Sequence, residues 1–146
     1  MQGQSQVSAI AHVIQLAVAP VFLLSGVGGM LAVLTNRLAR IIDRARNLEA
    51  RLPLADQPTQ ADLHVELQLL SRRSRLMNWA ISLCTVCALL VCVVIAALFL
   101  GAFLLTDVSL VIGLAFIAAM LALFGGLLSF LREIYIATRS LRIGPH

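Results

Sequence analysis

Three polar side chains interrupt the long apolar run near the start of the chain: His12, Gln15 and, further on, Asn36. With Ser8, Ala19, Phe22, Gly26, Gly29, Val33 and Arg40 they recur at alternating spacings of four and three, which keeps them on one helix face. Amide oxygens at Gln15 and Asn36 can take the place of water around a cation, and an imidazole at His12 can exchange a proton near neutral pH. In hydrocarbon such groups are costly without a partner. Two arrangements satisfy them: hydrogen bonds to other helices of the same chain, or a water-filled axis built from several copies.

Other chemistry is poorly supported. There is no HExxH motif, no phosphate-cradling glycine loop and no Ser/His/Asp set, and His12, His64 and His146 are scattered. Cys84-x-x-Cys87 suggests a redox or metal pair, but it lies in an apolar helix without a second ligand pair. Neither an enzyme nor a cofactor or metal protein is expected. Asp107 fits the N-cap of a following helix. Glu133 fits an ion pair inside the cell with Arg132, Arg139 or one of the arginines at 72–75. Both acids adjoin the ends of apolar runs, and no inverted repeat is present, which argues against a carrier.

The elements that position these residues follow from charge sorting. Apolar residues make up 60% of the 146-residue chain and charged residues only 12%. Residues 1–36 carry no charged side chain, 37–75 hold eight arginines and five acids, and 76–131 hold only Asp107. Crossing about 30 Å of hydrocarbon takes roughly 20 apolar residues. Three stretches qualify, about 13–34, 77–105 and 108–131, the last two separated by Thr106-Asp107. Arginines accumulate in cytoplasmic segments. The expected fold is therefore an all-α integral membrane protein with three transmembrane helices, N-terminus outside and C-terminus inside. Trp79 and Tyr135 fall where aromatics meet the inner interface. The high pI is a topology signal, and no nucleic-acid partner is implied.

Residues 37–75 form a cytoplasmic helical hairpin extending helices 1 and 2 by roughly 25 Å. Leu38, Ile41, Ala45, Leu48 and Leu52 mark one arm and Leu63, Leu67, Leu70, Ser74 and Met77 the other. Pro53 and Pro58 bracket the turn, and Thr59-x-x-Asp62 reads as a capping box. The third helix extends into 132–146 until Gly144-Pro145. Small residues provide packing seams: Ala115, Ala119, Ala122, Gly126 and Ser129 on span three, and Cys84, Ala88, Cys92 and Ala96 on span two, beside Ala97-x-x-x-Gly101. The span-three seam suits either the subunit core or a contact between subunits. Pro20 allows a bend in span one, and Gly26, Gly28 and Gly29 allow close approach or hinging.

The run IQLAVAPVFLLSGVGGMLAVLTNRLARIIDRARNLE (Ile14–Glu49) resembles the signature of a bacterial membrane family known as domain of unknown function 2721. The likeness covers nearly the whole chain, including LLSRR (Leu69–Arg73) and the closing REI (Arg132–Ile134). The resemblance implies a multi-pass protein of the bacterial cytoplasmic (inner) membrane, and homo-oligomeric cation channels sensitive to protons.

Two functions from different classes are carried forward. The first is a homo-oligomeric channel for inorganic cations, a pentamer as the best guess. Span one would line its pore with His12, Gln15, Ala19, Phe22, Gly26, Gly29, Val33, Asn36 and Arg40. Phe22 would form a constriction that gates by dewetting, His12 an outer proton sensor of either sign, and Asp43 an inner vestibule ring. The second is a small scaffold or regulator. It would present Arg40, Arg44, Arg46, Arg51 and Arg72–Arg75 to anionic lipid or a partner protein, against the plainer role of topology fixing and solvated pairs such as Arg46–Glu49.

Overall fold

The computed structural model describes residues 2–143, with side chains at all of these except 2, 5 and 140–143. Three helices account for nearly all of them: α1 (Gln2–Arg51), α2 (Gln57–Leu104) and α3 (Ser109–Ile143). All three are long and apolar enough to cross a membrane. Span one and the first arm are one continuous helix, as are the second arm and span two, because no breaker interrupts either. Pro20 forfeits a backbone donor without ending α1. The expected stop at Gly144-Pro145 lies outside the described residues.

Burial follows a repeat of seven. On α1, Val13, Pro20, Val27, Leu34, Ile41 and Leu48 are buried at successive seven-residue steps. On α2 the buried positions are Leu70, Met77, Ala80, Cys84, Cys87, Val91 and Val94. On α3 they are Ala119, Ala122, Gly126 and Glu133. Spacings that average 3.5 hold one face toward a neighbouring helix, as in a coiled coil. Of the span-three seam, Ala119, Ala122 and Gly126 are thus buried within the protomer, while Ala115 and Ser129 are half-buried. The span-two seam needs correcting: Cys84 is buried, but Cys92 and Ala96 are exposed, and burial runs through Cys87, Val91 and Val94 instead. Steps of four drift about 40° each around a helix, so three in succession leave the packed face.

The chain forms two compact units. One takes the chain up to Leu31 together with Leu83–Phe124, the other Ala32–Ser82 together with the chain from Gly125 on. The first unit has a core of Val13, Ala17, Val27, Cys84, Cys87, Val91, Val94, Ala119 and Ala122. It contains the α2–α3 turn. Leu105 there takes the left-handed conformation at φ 53°, ending α2, and the Thr106 hydroxyl donates to the Leu104 carbonyl at 3.3 Å. Asp107 Oδ1 then accepts from the Ser109 amide at 3.1 Å and the Ser109 hydroxyl at 2.7 Å, so its carboxylate satisfies the first amide of α3. Val108, whose carbonyl accepts from the Ile112 amide at 3.0 Å, holds the N-cap position itself. The two Ser109 bonds, the hydroxyl first, hold Asp107 below the usual carboxylate range. At Gly101 a Cβ would lie 2.6 Å from Val108 Cγ2, so a side chain there displaces Val108.

The second unit has a core of Leu34, Ile41, Leu48, Leu70, Met77, Ala80 and Glu133. Between α1 and α2 lies a 3₁₀ turn, Leu52–Leu54, with Pro53 inside it. The capping box does not form at Thr59, because α2 already begins at Gln57. Pro58 sits in its first turn, where a missing amide costs nothing. The Gln60 amide donates to the Asp56 carbonyl at 2.7 Å, and Gln60 Nε2 donates to the Leu52 carbonyl at 2.9 Å, closing the turn.

Candidate functional site

The polar stripe of α1 is open in the protomer. In the first unit His12, Gln15, Ala19, Phe22, Gly26 and Gly29 are all exposed. The opposite edge of the same helix, Val13, Ala17, Pro20 and Val27, carries the packing. Phe22 is 74% exposed, although it is the bulkiest member of the stripe. A Cβ built at Gly26, Gly28 or Gly29 meets nothing within 4 Å, so these glycines do not serve close approach within the protomer. In the second unit the stripe continues through Val33, Asn36, Arg40 and Asp43, again all exposed. Among the described residues, His12, Gln15 and Asn36 form no side-chain hydrogen bond to α2 or α3.

The second unit holds a buried charge cluster. Glu133 occupies a seam position of α3 and is 0% exposed. Arg37 Nη2 donates to its Oε2 at 2.8 Å. Arg73 donates to its Oε1 from Nε at 3.0 Å and meets the same oxygen through Nη2 at 2.9 Å. The Arg37 and Arg73 side chains remain 35% and 21% exposed. The Arg37 guanidinium also lies over the Phe130 ring, 5.4 Å from its centre, while its Nε is buried without a partner. Guanidinium suits this place because its planar fork engages a carboxylate from several directions at once.

The sequence offers Arg132, Arg139 or an arginine from 72–75 as the partner of Glu133, and of these Arg73 meets it. Arg37 was not anticipated. A signal was present: Arg73 lies three residues after Leu70 and four before Met77, in phase with the α2 seam, as Glu133 is with the α3 seam. Opposite charges in two facing seams must meet or remain unpaired. The exposed arms are tied by Arg44–Glu66 at 2.7 Å across the hairpin, in place of Arg46–Glu49 along one helix.

Other candidates separate. Cys84 and Cys87 are free, buried thiols of the first unit, and Cys92 is free and exposed. Among the described residues, no three His, Cys, Asp or Glu come together as a metal-holding group. Trp79 and Tyr135 are both exposed. A cleft of about 240 Å³ in the second unit is lined by Arg37, Arg40, Ile41, Arg44, Leu70 and Arg73.

Three long apolar helices, with an open polar stripe on the first and a buried charge cluster in the arginine-rich unit, define a multi-pass helical membrane protein. Residues 17–143 match the family described as protein of unknown function (DUF2721), and the chain belongs to that family. No curated protein and no solved structure matches the chain.

Proposed function

We propose that the protein is a homo-oligomeric ion channel of the bacterial cytoplasmic membrane whose α1 helices surround the pore. The observation that carries this reading is the open α1 stripe. An imidazole and two amides on an apolar helix have no side-chain hydrogen-bond partner among the described residues, and lipid cannot supply one. Copies of the chain arranged about an axis supply water and each other. Lining that axis, Gln15 and Asn36 set amide oxygens at its two ends and Phe22 narrows its middle. Neutral dipoles without a fixed carboxylate in the span suit a cation, and His12 gives the outer mouth a group that responds to protons. The arginine distribution supports an outer N-terminus and a cytoplasmic hairpin. A single polar helix per subunit suits a closed ring of about five copies, and about four or six fit as well.

Ion flux into liposomes holding the purified full chain tests the reading. Wild type passes cations with a pH-dependent rate, Phe22→Ala raises the flux and Gln15→Leu lowers it. Silence of wild type under every gradient and pH overturns the proposal. Thiols introduced at 15, 22 and 29 react with a water-soluble reagent faster than thiols at 17, 24 and 31; equal rates count against an aqueous axis.

A further inference from the structure

We infer that the cleft lined by Arg37, Arg40, Arg44 and Arg73 in the second unit is a binding site for a phosphoryl oxyanion. Arg37, Arg40, Ile41 and Arg44 lie at successive spacings of three, one and three on α1, so the three guanidiniums share one side of the helix. Leu70 and Arg73 face them from α2. Ile41 and Leu70 are buried and form an apolar floor beneath cationic walls. Two carboxylates answer the four guanidiniums, Glu133 at Arg37 and Arg73 and Glu66 at Arg44, which leaves a net charge of +2. Arg40 has no ion-pair partner among the described residues and lies free on the rim.

Such a cleft selects its ligand. A cation is repelled, and a neutral solute gains nothing from the walls. A single carboxylate can engage one fork, whereas a phosphoryl group offers several oxygens spread around a tetrahedron and can engage two or three. The ion pairs already present hold Arg37, Arg44 and Arg73 in place, so little side-chain freedom is lost on binding. The volume of about 240 Å³ accommodates a phosphate with part of an ester substituent. Arg37 lies three residues beyond the first apolar run and Arg73 four before the second, positions suited to the depth of lipid phosphates. A phosphodiester headgroup and a soluble phosphate share the chemistry, and the choice depends on whether the cleft meets lipid or an aqueous vestibule.

The inference does not rest on the pore reading, since binding is measured without ion flux. The full chain in neutral detergent is titrated with phosphatidylglycerol or phosphatidylcholine by native mass spectrometry, and with inorganic phosphate by calorimetry. The expected result is retention of phosphatidylglycerol over phosphatidylcholine, or saturable binding of phosphate, weakened about fivefold by Arg40→Gln. Arg40→Lys restores part of the loss, and Arg46→Gln, outside the cleft, changes nothing. Preference for the anionic lipid alone assigns the site to a headgroup; saturable phosphate binding assigns it to a soluble ligand. Equal retention of both lipids with no phosphate binding overturns the inference, and so does equal weakening by Arg40→Gln and Arg46→Gln.

Discussion

Replacing Glu133 by Gln tests the charge cluster most directly, because the change removes a charge and keeps the volume. The carboxylate accepts one charge-assisted bond on each oxygen, from Arg37 Nη2 and from Arg73 Nε, and Arg73 Nη2 lies 2.9 Å from the same oxygen as its Nε. A glutamine offers one oxygen, and its amide nitrogen must then face a guanidinium, donor against donor. Stranding one side of a buried ion pair costs about 3–5 kcal/mol. Here the stranded arginines are 35% and 21% exposed and can turn partly to water, which places the loss at the lower end, about 3 kcal/mol. Arg37→Gln leaves the ion pair of Arg73, which is the less exposed of the two arginines, intact and costs about 1–2 kcal/mol, and Arg73→Gln costs more than Arg37→Gln. Combining Arg37→Gln with Glu133→Gln costs less than the sum, since both remove the same bond. Denaturant unfolding in mixed micelles, followed by circular dichroism, reads these differences. A Glu133→Gln variant within about 0.5 kcal/mol of wild type, or additive effects in the double variant, would refute the reasoning.

The exposed pair behaves differently: Arg44→Gln breaks the bond to Glu66 but shifts the same unfolding midpoint by no more than about 1 kcal/mol, with the effect fading in high salt. Gly101→Ala drives a methyl into Val108 and destabilises the α2–α3 turn by about 1–3 kcal/mol, and adding Val108→Ala recovers part of this in the same assay. Asp107, with its folded value lowered by Ser109, contributes stability above the ordinary carboxylate range and loses it as pH falls through the lowered value. The stability gap between wild type and Ser109→Ala is therefore present at pH 7 and shrinks at strongly acidic pH, as paired unfolding curves at the two conditions will show.

Features written in short-range pattern were legible in the sequence. The three apolar runs, the unbroken passage of α1 through Arg37 and the contact of Asp107 with the start of α3 depend on neighbours a few residues away. The α1 seam was legible for the same reason, because Leu38, Ile41, Ala45, Leu48 and Leu52 keep helical phase. The α2 seam was misread where small residues at steps of four were favoured over the true alternation through Cys87, Val91 and Val94. In an entirely apolar helix, composition does not distinguish the packed face from the lipid face, so phase alone decides. Contacts between distant segments were the harder part. Arg37 and Glu133 are 96 residues apart, and only the joint placement of three helices brings them together. Openness of the α1 stripe was equally undecidable from the chain, since a polar edge can be met by a neighbour in the same protomer or by another copy.

A ladder of Leu, Val and Ala repeats itself, and helices joined by such a ladder can slide by seven residues and find nearly the same fit again. Glu133 removes that ambiguity in the second unit. One notch along, Gly126 would stand between the two guanidiniums, and the carboxylate would be stranded away from both. The acid works as an index pin for α3: of all the axial settings its oily neighbours would accept, only one closes the charges.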